Sequence, residues 1–232
     1  MGVFGCRDSL ASFLRERSLP KLQIVEQAIF SELLPRFDDI ESRATQAQER
    51  FWELAGEVGL AESYEGDLAS DAFSHGWDTF DSLSGMRQML LNLFAVCLFH
   101  ALEQKLALAC NAHQHPIKDR IPAALRAIAD WFKAHRGLDI RKLREYAAVE
   151  QLQLLANTVK HGAGRSSSKL LKLRPEIFGS YSECSPDKID LREPLAGEDL
   201  CVAPADLKAF CGAASAFVEA IASGLEKAAD SM

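Results

Sequence analysis

An all-α fold, a bundle of five or six helices, is what this chain predicts, and three observations predict it. Apolar residues recur with a helical period over most of the length. No stretch alternates apolar and polar residues as a half-buried strand would. No internal repeat points to a solenoid instead. With 232 residues, 48% of them hydrophobic and 25% charged, the chain can bury a full core, and one domain over 1–232 is expected.

Residues 9–17 form a short amphipathic segment that Pro20 closes, a packing arm within 1–20. From Leu22 to Leu60 a helical period runs through Ile24, Ile29, Leu33, Phe37, Ile40, Phe51 and Trp52, and Pro35 is expected to kink or split it. The polar stretch 38–50 reads as a solvated extension. Residues 62–81, rich in glycine, serine and aspartate around Trp77, sustain no period and read as a long connection.

Residues 84–111 predict a second long helix, apolar on most of its circumference, which belongs at the centre of a bundle. Phe94 is expected in that core. Gln88, Asn92, His100, Glu103 and Gln104 share one polar stripe of this helix. Two readings of the stripe stand open: a satisfied polar seam between helices or at a dimer contact, or a cleft where His100 and Glu103, one turn apart, hold or polarise a ligand. Residues 111–118 make a loop whose His113 and His115 lack a third metal ligand at a recognisable spacing.

Residues 121–135 form a third amphipathic helix with Leu125, Ile128, Trp131 and Phe132 inward and Gly137 as its stop. Asp139 is placed to cap a fourth, 140–161. Residues 166–168 are placed to cap a short helix, 169–173, that Pro175 ends. A proline-, serine- and acid-rich connection, 180–203, leads to a last helix, 205–229, begun by Pro204.

The formal charge of −7 argues against a protein that coats nucleic acid by charge alone. Six cysteines without a CxxC pair read as reduced thiols in a cytoplasm. No secretory signal opens the chain. The most apolar run, 89–102, is interrupted by Asn92 and His100 and is shorter than the ~20 residues a bilayer needs, so no membrane role is expected. The run from His161 to Ser166 lacks the ending of a phosphate-binding loop, and neither a serine nucleophile elbow nor an HExxH zinc motif occurs. Neither a metal nor a cofactor is expected.

The stretch with most chemistry is 151–174. Gly162 and Gly164 should end the fourth helix just after His161. Asn157, Lys160 and His161 then share one polar face at its end. From Lys160 to Arg174 the chain carries Lys160, His161, Arg165, Lys169, Lys172 and Arg174 without one acidic residue. A local basic patch in an acidic protein asks for an anionic partner. The plainer alternative is that Lys160 and His161 complement the helix dipole and the patch is solvated surface.

The Phe99–Gln104 hydrophobic helix, followed by a helix ending Asn157-Thr158-Val159-Lys160-His161, resembles the HEPN superfamily. Those are helical-bundle proteins, often homodimeric and often ribonucleases, of toxin–antitoxin, abortive-infection and RNA-processing systems. Their usual motif is an arginine, a polar residue, then a histidine. With Asn157 as the polar residue and His161 as the histidine, the arginine position here is Ala156, and Lys160 lies one turn along. The resemblance implies a homodimer whose two motifs form one cleft and cut RNA without metal, using the neighbouring 2′-hydroxyl. His161 would then be general acid or base, Lys160 would meet the phosphate, and Asn157 would orient substrate or imidazole. Arg165, Lys169, Lys172 and Arg174 would hold the flanking strand. The alternative is a non-catalytic dimeric module that binds RNA, a nucleotide or a protein partner of the same defence system through that cleft.

Overall fold

The computed structural model describes residues 9–57, 65–113, 120–178 and 200–230. Among them no strand forms, and the protein is an all-α helical bundle. They fall into two compact units, one from Met1–Gln27 with Leu91–Met232 and one from Ala28–Leu90. Most of the expected 180–203 connection, along with Cys6, His115 and Cys184, lies outside the described residues.

In the larger unit the chain opens with α1 (Leu10–Phe13), capped by Ser9, whose Oγ accepts from Ser12 N–H at 3.1 Å. A π-helical turn, Leu14–Ser18, leads straight into α2 (Leu19–Gln27). Pro20 therefore does not close this segment. It stands near the start of α2, directly after a wide turn in which Leu19 N–H reaches back to Leu14 O, and the helical run continues through it. Leu14 and Leu22 are buried, and α1 and α2 both pack on the last helix.

The second long helix, α4 (Glu65–Ala112), starts well before residue 84. The stretch 62–81, expected as a connection, is helical from Glu65 onward. Serine and threonine are accommodated there by turning their hydroxyls onto the helix itself: Ser74 Oγ donates to Ser70 O at 2.9 Å and Thr79 Oγ1 to His75 O at 2.9 Å. Within the larger unit α4 buries Leu91, Leu98, Leu102 and Leu106, while Phe94 is only half-buried.

Around these pack α5 (Leu125–Arg136), α6 (Tyr146–His161), α7 (Arg165–Leu173) and α8 (Pro204–Asp230). Ile128, Phe132, Leu155 and Phe217 are fully buried. Truncating an aromatic so enclosed typically costs about 3–5 kcal/mol. Gly137 ends α5 at φ 66°, a left-handed conformation that favours glycine. The expected helix 140–161 is divided: Asp139 caps only a 3₁₀ turn, Ile140–Lys142, then Leu143 is extended and α6 starts at Tyr146. Residues 200–203 are non-helical, with Leu200 and Val202 fully buried. They are held by Asn92 Nδ2, which donates to Leu200 O at 2.8 Å, and by Cys201 N–H, which donates to Ile177 O at 2.8 Å.

In the smaller unit a π-helical turn, Ala28–Leu33, and a 3₁₀ turn, Leu34–Phe37, surround Pro35. The proline splits the expected 22–60 helix, and α3 (Ile40–Glu57) follows. It packs against the first part of α4 across Gly76, where an added Cβ would lie 3.2 Å from Ala44 O and 3.3 Å from Gln48 Cβ.

Asp67–Ala112 and Pro204–Ala228 are long and apolar enough, by length and composition, to cross a membrane. The run 89–102 falls short only when cut off from the helix around it. Buried thiols in the larger unit, Cys110 and Cys211, are each pushed up to about 12 by burial, so both stay protonated and unreactive near neutrality.

Candidate functional site

The inward face of α6, Val149, Leu152, Leu155 and Ala156, fixes which residues its last turn presents. Thr158 is buried and turns its Oγ1 onto Leu154 O at 2.8 Å. Lys160 and His161 remain exposed, and Asn157 is half-buried. The helix stops after His161, as the sequence predicts. Gly162 takes φ 66°, and its N–H closes the last turn on Thr158 O at 2.8 Å.

Only Gly162, Ala163 and Gly164 separate α6 from α7. Residues 166–168 do not cap a helix starting at 169; they lie inside one that starts at Arg165, and Ser168 Oγ donates back to Gly164 O at 3.0 Å. Ser167 and Leu170 are buried, and α7 packs on α6. Arg165, Lys169 and Lys172 follow at i, i+4 and i+7, so they form one stripe, and all three are exposed. Among the described residues Lys160, His161 and these three make neither a hydrogen bond nor a salt bridge.

Arg174 is not part of that stripe. Its Nη2 donates to Asp206 Oδ1 at 2.7 Å, its Nε to Glu176, and its guanidinium lies 5.8 Å from the Phe210 ring centre. With its charge so matched, it ties the end of α7 to the start of α8, and it is not available to an anion.

The polar stripe of α4 divides in the same way. Glu103 is 9% exposed, and its Oε1 accepts the N–H of Leu125, the first residue of α5, at 2.8 Å. Burial raises its pKa, against the pull of that N–H, of Lys160 and of His100. Glu103 is therefore a helix cap first, and its charge also brings the α4 pair and the end of α6 into one electrostatic neighbourhood through Lys160. His100 is exposed, and its Nε2 lies 2.8 Å from the side-chain amide of Gln104, a pairing the sequence reading did not single out although i, i+4 spacing carries it. Gln104 also lines a depression of about 450 Å³ beside Lys105, Leu108 and Arg120.

Electrostatically the end of α6 and the outer face of α7 can hold an anion, with one exposed imidazole available for proton transfer. Among the described residues no three or more His, Cys, Asp or Glu side chains are grouped to hold a metal ion. Ala156, the position where the HEPN motif has arginine, is fully buried in the core, so that position does not face the basic patch. Comparison with protein-family models, with curated proteins and with solved structures finds no match to this chain.

Proposed function

We propose that this chain is a HEPN-like protein that binds RNA along the end of α6 and the outer face of α7. The observation that carries this reading is the row of exposed cations, Lys160, Arg165, Lys169 and Lys172 with His161, which form no ion pair among the described residues, in a chain of net charge −7. Holding unpaired like charges on one surface is unfavourable unless an anion relieves it, and a polyphosphate does so by releasing its own counterions. Membership of the superfamily, the homodimer and a place in a defence system rest on the motif resemblance.

A metal-independent endoribonuclease is the second reading, favoured by His161 standing exposed at a helix end beside Lys160 with Asn157 one turn back. Binding without cleavage comes first because Ala156 offers no guanidinium to a developing phosphorane. Loss of a preorganised charge of that kind typically costs several kcal/mol of transition-state stabilisation.

Titration of labelled single-stranded RNA at several salt concentrations tests the reading. The Lys169→Glu/Lys172→Glu variant should bind at least about tenfold more weakly, with a slope of log K against log salt shallower by ~1.4. His161→Ala should keep affinity. If the native protein also cuts, that variant should abolish cleavage, and the products should end in 2′,3′-cyclic phosphate without Mg²⁺. An unchanged affinity in the double variant would end the RNA reading.

A further inference from the structure

The smaller unit carries a surface that the RNA reading does not use. Phe73, Trp77 and Phe80 fall at i, i+4 and i+7 of α4, on one face. Phe73 is 62% and Trp77 47% exposed, and Trp77 stacks on Phe80 with ring centres 5.8 Å apart. Together with Glu41, Thr45 and Gln48 of α3 they line a depression of about 240 Å³. A second depression, of about 510 Å³, shares Glu41 and Phe80 with the first and adds Phe37, Asp38, Asp39, Ser84 and Arg87, so three carboxylates line it against one guanidinium. The two make one groove along the α3–α4 seam, aromatic on its floor and acidic at one end. Asp38, Asp39 and Glu41 are all exposed, and among the described residues none forms an ion pair.

We propose that this groove is a docking site for a basic amphipathic helix of a partner protein. Charge complementarity selects the partner. The unit Ala28–Leu90 holds thirteen acidic and four basic residues, so it concentrates the acidity of the chain. Its carboxylates repel RNA and anionic lipid and attract lysine and arginine. The aromatic floor asks in addition for apolar anchors, and large unpartnered aromatics are the residues that most often carry binding energy. Length selects a helix: from Phe73 to Ser84 the lining of α4 runs about 17 Å, three helical turns, which suits anchors at i, i+3/i+4 and i+7. The cationic face of this chain's own α7 is a poorer occupant, since it exposes only Leu173 as a large apolar side chain.

A labelled synthetic peptide of about fourteen residues, leucine at helical spacing and lysine elsewhere, is titrated onto the full chain. Beside it run a peptide of the same composition in permuted order and one with glutamate for lysine. The first should bind saturably, the permuted peptide at least about tenfold more weakly, and the acidic one not at all. Phe73→Ala and Trp77→Ala should each weaken binding about tenfold. Asp38→Lys/Glu41→Lys should weaken it and flatten its salt dependence, and its exposed positions leave the fold intact should Trp77→Ala perturb it. Equal binding of the permuted peptide, or groove variants that bind as the native chain does, would overturn the proposal. So would self-association in sedimentation that these variants abolish, because the occupant would then be a second copy.

Discussion

At the first turn of α5 the residues just upstream, Pro122, Ala123 and Ala124, carry no side chain able to accept the free N–H groups, and the acceptor comes from Glu103 on α4, 2.8 Å from Leu125 N. Burial dominates the titration of this carboxyl and raises its pKa. A raised carboxyl pKa means that folding takes up a proton. Its contribution to stability is therefore present below the ordinary carboxylate range and is lost as pH rises through the raised value. Glu103→Gln keeps an acceptor for Leu125 N–H and removes the titration, so urea unfolding should give stability near the native value with a flatter profile as pH rises out of the ordinary carboxylate range. Glu103→Ala leaves the N–H unmet and should cost about 1–2 kcal/mol. Equal stability of the two variants would show that the bond to Leu125 contributes nothing. The polar stripe of α4 was legible from spacing. The target of Glu103 was not, because it is a backbone N–H beyond a loop, and no side-chain pattern marks it.

Between α3 and α4 the same kind of limit applies to glycine. Gly76 falls in the stretch 62–81 that its glycine, serine and aspartate content marks as a connection, whereas Gly85 falls at the start of the helix expected over 84–111. In the structure both are inside α4. At Gly76 a Cβ would press on Ala44 O and Gln48 Cβ, whereas at Gly85 nothing lies within 4 Å. Gly85→Ala should therefore stabilise the protein by about 0.5–1 kcal/mol, through helix propensity and a less disordered unfolded chain. Gly76→Ala should gain little or lose stability, since the backbone of α3 has to shift by a few tenths of an ångström. Thermal melts of the two variants decide it, and a Gly76→Ala gain as large as that of Gly85→Ala would mean that the helices do not approach closely there. Elements with strong periodicity or a clear stop, such as α5 with Gly137 and α6 with Gly162, were readable. Their starts were read less well: residues 121–124 are non-helical although they carry the apolar spacing, and before α6 a 3₁₀ turn and an extended Leu143 interrupt the helix the spacing suggests.

Across the whole chain, the pairs that decide which charges are free join residues far apart in sequence. Five of the basic residues from 160 to 174 face solvent as the charge run suggests, but Arg174 is matched by Asp206, 32 positions on. Arg15 is the extreme case. Its Nε donates to Glu219 at 2.8 and 3.0 Å, its Nη2 to Ser223 Oγ at 3.1 Å and to Glu226 Oε2 at 3.0 Å. One guanidinium so placed fastens the π-helical turn after α1 onto α8, with a planar fork that lysine cannot reproduce. Arg15 holds both carboxyls below their usual pKa range. A lowered carboxyl pKa gives stability that is present above the unfolded value and lost as pH falls through the folded one, and exposure and salt keep the amount small. The effect should therefore be local. In hydrogen exchange Arg15→Lys and Arg15→Ala should both lose protection over α1 and α2, Ala more than Lys, while the buried α5 is unchanged. The native chain should lose the same protection selectively on acidification below the usual carboxylate range. Uniform loss across α5 and α6 in Arg15→Ala would show that the ion pairs hold the whole unit together, and no loss anywhere would show that apolar packing of Leu14 and Leu22 alone keeps the N-terminal segment in place.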